Sequence, residues 1–157
     1  AGIVLGFRGT ADHVLRGHPA DSDGYAGTQA CAREVSAVTA ACMMVRRETF
    51  LEAGGLDEHF FTAYQDVDFC LRLRSRGLRN IYAPRACLFH HESYTRRDYY
   101  DFVDRNLLLD RWQDEIDNDP YYNINFSRAA VDYQLSEHAD TGKVASTVKL
   151  WNRRVMG

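Results

Sequence analysis

A chain of 157 residues is long enough for one domain with its own core and short for two. With 45% apolar and 26% charged residues, its composition excludes wholesale disorder. A formal net charge of −3 removes the usual ground for nucleic acid as a partner, and no apolar run approaches the about 20 residues that span a bilayer.

The chain opens Ala-Gly-Ile-Val, without Met, and passes at once into a strand-like run over residues 3–7. It is therefore expected to be a piece of a longer polypeptide. Residues 8–28 are polar, carry Pro19 and Gly24, and read as one long loop. Residues 35–45 are apolar and nearly free of charge, which predicts a buried strand. A short helix follows over 47–53, stopped by Gly54-Gly55. The clearest helix covers 66–76, where Val67, Cys70, Leu71 and Arg74 recur at helical spacing. Asp66 and Asp68 lie in its first turn, Asp68 and Arg72 stand four apart, and Gly77 ends it. Strands are expected at 80–83 and 86–89 around Pro84. A long helix is expected over 97–116, with Phe102, Leu107, Leu108 and Trp112 available for burial. Beyond Asp119-Pro120 the pattern weakens, so residues 1–117 are read as the domain and 118–157 as an extended or helical tail. Cys31, Cys42, Cys70 and Cys87 form no Cys-x-x-Cys pair, and three lie in apolar stretches. They are expected to be buried free thiols of a reducing compartment, which points to the cytoplasm.

Three clusters could carry chemistry. Asp66, at a loop–helix junction, is placed as a general base would be, although Asp there is also a common helix cap. His90-His91 follows an apolar run. One imidazole could bind a divalent cation, or both could be structural, and no Glu-x-x-His spacing makes a self-sufficient metal site. The stretch 93–100, with Arg96, Arg97 and three tyrosines, suits phosphate or sugar contacts and equally a solvated helix entry.

Taken in order, the motifs say more. The run Val38-Thr39-Ala40-Ala41-Cys42-Met43-Met44-Val45-Arg46-Arg47-Glu48-Thr49-Phe50 is followed by Gly54-Gly55-Leu56-Asp57-Glu58. Gln65-Asp66-Val67-Asp68-Phe69-Cys70-Leu71-Arg72-Leu73-Arg74 comes next, then Gly77, Pro84 and His90-His91-Glu92-Ser93. Together these resemble family 2 glycosyltransferases, above all the branch that builds rhamnose-rich and O-antigen-type polysaccharides. Asp119-Pro120-Tyr121-Tyr122-Asn123-Ile124-Asn125-Phe126-Ser127 is similar to a segment of the same branch.

The resemblance implies an α/β fold, a partial GT-A domain with a Rossmann-like mixed sheet and flanking helices, of which only the C-terminal half is present. It implies an inverting transferase that moves a sugar from a nucleoside-diphosphate donor to a saccharide acceptor in bacterial surface polysaccharide synthesis. Asp66 matches the family's catalytic carboxylate. His90 matches a histidine that completes the shell of a divalent metal, Mg²⁺ or Mn²⁺, in some members. Asp68 and Arg72 match a supporting pair, and Arg96 and Arg97 fall where acceptor or diphosphate contacts would lie. The resemblance assigns no cofactor-binding residues in this chain. The implied location is cytoplasmic, with association to the inner face of the membrane.

Two departures stand out. Gln65 replaces the Glu that often precedes the catalytic Asp, and the donor half with its Asp-x-Asp motif is missing; Asp21-Ser22-Asp23 has the spacing but follows the wrong element. The chain alone is accordingly expected to be inactive, to expose apolar surface toward the missing N-terminal half, and to form homodimers through that surface. Two rivals remain: a non-catalytic saccharide-binding or scaffold module of a polysaccharide-assembly complex, and a metal-dependent hydrolase using His90-His91 with Asp66.

Overall fold

A computed structural model describes residues 2–88 and 101–136. In chain order the elements are β1 (Ile3–Leu5), β2 (Ala11–His13), β3 (Arg33–Val35), α1 (Arg47–Glu52), α2 (Gln65–Ser75), β4 (Asn80–Tyr82) and α3 (Asp101–Asp117). The class is mixed α/β. β1 pairs antiparallel with β2, Ile3 opposite His13, and β3 pairs antiparallel with β4, Val35 opposite Asn80. Just past β3, the Ile3 N–H donates to the Ala37 carbonyl at 2.8 Å and joins the two ribbons. Among the described residues no strands pair in parallel, so the Rossmann-like arrangement expected from the resemblance is not seen in them.

Helix α2 is the axis of packing. Val67, Phe69, Cys70, Leu71 and Leu73 are all buried, each valine, leucine or phenylalanine among them contributing about 1.5–3 kcal/mol on leaving water. Val67, Cys70 and Leu71 meet Ile3, Leu5 and Ala37 of the joined ribbons and Leu108 and Ile116 of α3. Phe69 and Leu73 meet Ala53 and Phe50 at the end of α1, the Phe50 and Phe69 ring centroids lying 5.3 Å apart. Both helix ends follow from glycine. At Gly54-Gly55 (φ +83° and +67°) the Gly55 N–H returns to the Phe50 carbonyl. At Gly77 (φ +78°) the next N–H, of Leu78, returns to Leu73. Left-handed backbone that lets the chain turn back on its own carbonyls is where a Cβ costs most.

Several expectations are corrected. The strand predicted over 35–45 ends at Val35, with one further bridge at Ala37. The chain then leaves the sheet, because the Thr39 hydroxyl accepts the Ala41 N–H at 3.3 Å and caps a 3-10 turn at Ala40–Cys42. Met44 stands fully in solvent. The loop predicted over 8–28 contains β2, whose Ala11 is buried against β1. No strand forms over residues 86–88, which are exposed after a turn in which the Ala86 N–H donates to Ala83. The cysteines are free, but Cys31, Cys42 and Cys87 are exposed and only Cys70 is buried.

Residues 119–136 pack onto β1 and β2 rather than trailing away. Tyr122 and Tyr133 are buried with Val4, Phe7 and Val14. The Asp119 carboxylate, also buried, accepts the Leu5 N–H at 2.7 Å, the Ser36 hydroxyl at 2.6 Å and the Tyr121 N–H at 2.8 Å.

Candidate active site at the start of helix α2

The loop before α2 is held from below. Asp104, on α3 and fully buried, accepts the backbone N–H groups of Phe61, Thr62 and Ala63 at 2.7–2.8 Å, and the Thr62 hydroxyl at 3.3 Å. Successive N–H groups converging on one anion form a concave backbone nest, here filled from within the chain. The loop then turns through Tyr64, a non-glycine residue in left-handed backbone (φ +65°, ψ +1°). Such a conformation costs about 1–3 kcal/mol and persists where its surroundings enforce it. Gln65 helps to enforce it, since its side-chain amide donates to the Phe60 carbonyl at 3.3 Å. A glutamate could not make that bond, which is a physical reason for the departure at this position.

Asp66 emerges from this base in the first turn of α2, half-buried. One carboxylate oxygen accepts the Ala40 N–H at 3.0 Å and the other the Val67 N–H at 2.9 Å. The first of these spans 26 residues and draws the 3-10 turn at Ala40–Cys42 against the helix. A carboxylate has about four acceptor sites, so two backbone bonds leave it able to take a proton from a hydroxyl. The side chain is neither sealed in the interior nor loose on the surface.

Asp68 does something different. It is fully buried and takes Arg72 Nε at 2.8 Å, Arg111 Nη1 at 3.2 Å and the Trp112 indole N–H at 2.9 Å. Arg72 continues to the carbonyls of Ala53 and Gly55, so the pair on α2 also clamps the end of α1. Arg111 reaches Asp57 at 2.6 Å. Asp57 also accepts the His59 backbone N–H, and the His59 ring nitrogen sits 2.6 Å from it. The backbone N–H of His59 chiefly, then the Arg111 guanidinium, hold the Asp57 carboxyl well below the usual carboxylate range. Burial pushes the Cys70 thiol up to about 12, so it stays protonated and inert among the apolar side chains around it.

Of the residues singled out in the sequence, the structure brings Asp66, Asp68 and Arg72 together on one helix. His90, Arg96 and Arg97 lie outside the described residues. Among the described residues, no group of three or more His, Cys, Asp or Glu side chains could hold a metal ion. These residues do not make a metal site on their own. Asp104, Asp57, Arg111 and the hydrogen-bonding role of Trp112 were missed in the sequence. One signal was available: Asp104, Leu108 and Ile116 share a face of α3 at multiples of four, so Asp104 occupies a core-facing position that only a satisfied carboxylate can hold.

No family profile and no solved structure matches the chain. Curated relatives do. The uncharacterized protein y4gI of Sinorhizobium fredii is 36% identical over an alignment of 149 positions that covers 87% of this chain and 16% of that protein. The O-antigen biosynthesis protein RfbC of Myxococcus xanthus is 35% identical over an alignment of 148 positions that covers 91% of this chain and 12% of its own length. An N-acetylglucosaminyl-diphospho-decaprenol L-rhamnosyltransferase of Mycobacterium tuberculosis is 39% identical over 67 residues, 42% of this chain and 22% of its own. The chain spans less than a quarter of each of these proteins.

Proposed function

From the premise that this chain is a relative of glycosyltransferases of the rhamnosyltransferase and O-antigen type, we propose that it is the acceptor-side, catalytic-base part of an inverting GT-A enzyme of family 2. The donor is a nucleoside-diphosphate sugar, the acceptor a saccharide, and the product a bacterial surface polysaccharide. The reaction takes place on the cytoplasmic side of the membrane. No helix among the described residues is long and apolar enough to cross a membrane.

One observation carries the reading: Asp66 stands half-exposed at the start of a rigid helix, its orientation set by the Ala40 and Val67 N–H groups. As the acceptor hydroxyl attacks the anomeric carbon, its proton passes to the Asp66 carboxylate. The new glycosidic bond forms as the bond to the diphosphate breaks on the opposite face, and the configuration inverts. Two N–H donors keep the carboxylate aimed, so little reorganisation is needed as the proton moves.

The test is transfer by the full-length protein, compared with Asp66→Asn. Loss of general-base assistance should reduce turnover about 10²–10⁴-fold in a protein that still melts cooperatively, at a modestly lower temperature because the Asn amide has one acceptor oxygen for the two N–H donors. Full turnover in a folded Asp66→Asn enzyme would remove Asp66 from the role.

Mg²⁺ or Mn²⁺ forms a separate part of the proposal, resting on the resemblance at His90. Chelation should abolish transfer, Mn²⁺ should restore it, and His90→Ala should raise the metal concentration needed; undiminished turnover in excess chelator refutes this part. Arg96 and Arg97 are proposed as diphosphate or acceptor contacts on the same ground.

A further inference from the structure

A cleft of about 360 Å³ lies away from Asp66, against the C-terminal half of α2. Arg74, at its wall, is eight residues along the helix from Asp66, a rise of about 12 Å. Glu34 of β3, Arg79, Trp112 and Glu115 of α3, and Tyr121 complete the polar and aromatic lining.

Glu34, Arg74, Arg79, Trp112 and Tyr121 each have a partner. The Tyr121 hydroxyl donates to Glu34 Oε2 at 2.9 Å, and Arg79 Nη1 donates to Glu34 Oε1 at 3.1 Å. The Arg74 guanidinium lies 5.3 Å from the Tyr121 ring centroid and reaches the Ser36 hydroxyl at 3.3 Å. Trp112 is anchored through its indole N–H on Asp68, and its backbone leaves helical geometry there (φ −130°, ψ +23°).

The lining holds two carboxylates and two guanidinium groups, so it is formally neutral. A polyanion would meet Glu34 and Glu115, and a polycation would meet Arg74 and Arg79. Planar carboxylate and guanidinium groups bond neighbouring hydroxyls in pairs, and the half-buried Trp112 side chain brings an aromatic ring to the lining against which C–H surfaces can pack. The volume falls within the usual range of small-ligand sites. We propose that this cleft is a binding subsite for a neutral sugar residue, separate from the place of transfer. It rests on the functional reading only for the kind of glycan that would supply that sugar.

The experiment is saturation-transfer NMR and titration of the full-length protein with maltotetraose and with a rhamnose tetrasaccharide, using tetragalacturonate as the charged comparison. At least one neutral tetrasaccharide should bind. Glu115→Ala and Arg79→Ala should each raise its dissociation constant about tenfold, or about 1.4 kcal/mol. Asp66→Asn should leave it unchanged, and a single cooperative melting transition in each would show that the variants are folded. The proposal is overturned by absence of binding for both neutral probes, by binding that folded Glu115→Ala and Arg79→Ala leave intact, or by tighter binding of tetragalacturonate. Because binding is read without turnover, loss of the transferase reading would leave this result standing, and the reverse also holds.

Discussion

Two aspartates on one turn of α2 have opposite fates, and their neighbours decide which. Asp68 faces inward and is satisfied by Arg72, Arg111 and Trp112, whereas Asp66 faces the 3-10 turn and keeps acceptor capacity. Replacing Asp66 by Asn keeps one acceptor oxygen for the Ala40 and Val67 N–H groups and removes the base, so it tests chemistry at the cost of one backbone bond. Asp57 lends itself to a test by pH. Its folded value is depressed, so the stability it contributes is complete above the ordinary carboxylate range and is lost as pH falls through that range toward the folded value. Unfolding free energy should fall more steeply in wild type than in Asp57→Asn between about pH 5 and pH 2. Parallel curves for the two proteins over that interval would show that the Arg111 and His59 contacts are not maintained in solution.

The loop before α2 and helix α3 act as one unit through Asp104. Removing that carboxylate leaves three backbone N–H groups without their acceptor in a part-buried loop. Asp104→Ala should cost about 3 kcal/mol in denaturant unfolding. It should also lower turnover although it lies beneath the loop, because the left-handed turn at Tyr64 would no longer be enforced and Asp66 would lose its fixed entry. A variant with unchanged stability and unchanged turnover would deny Asp104 this role. At this scale the helices were legible in the sequence: glycine stops at Gly54-Gly55 and Gly77 are local chemistry, and α1 and α2 fall within a residue of where the pattern put them. The strands were less so. Residues 38–45 are apolar enough for a strand, but the Thr39 cap and the Ala40–Asp66 bond take the chain out of the sheet, and neither is visible in apolar periodicity.

For the molecule as a whole, closure depends on contacts between distant segments. Asp119 links the segment after α3 to β1 and to Ser36, so residues 119–136 share the domain's core. Asp119→Ala should lower the stability of the whole chain in a single cooperative transition, by about 3 kcal/mol, since three donors lose their acceptor in a buried place. A separate early transition, with the rest unaffected, would mean that residues 119–136 are an independent appendage. Resemblance marked Asp119-Pro120-Tyr121-Tyr122 as part of the pattern, yet the weak periodicity there gave no sign that Tyr122 and Tyr133 are core residues. An aromatic cluster assembled from irregular segments leaves no period to read.

Sequence alone determined the kinship, the helices with their stops, and the identity of the candidate base, because each is written in residues close together in the chain. Only the tertiary structure decided that Asp68 is consumed in a buried network, that Asp104 supports the entry to α2, that Gln65 serves as a donor, and that three of the four thiols face solvent. Each of those outcomes is set by a partner that is remote in the chain or reached by an irregular turn. Burial of a polar group is tolerable only once that partner has arrived.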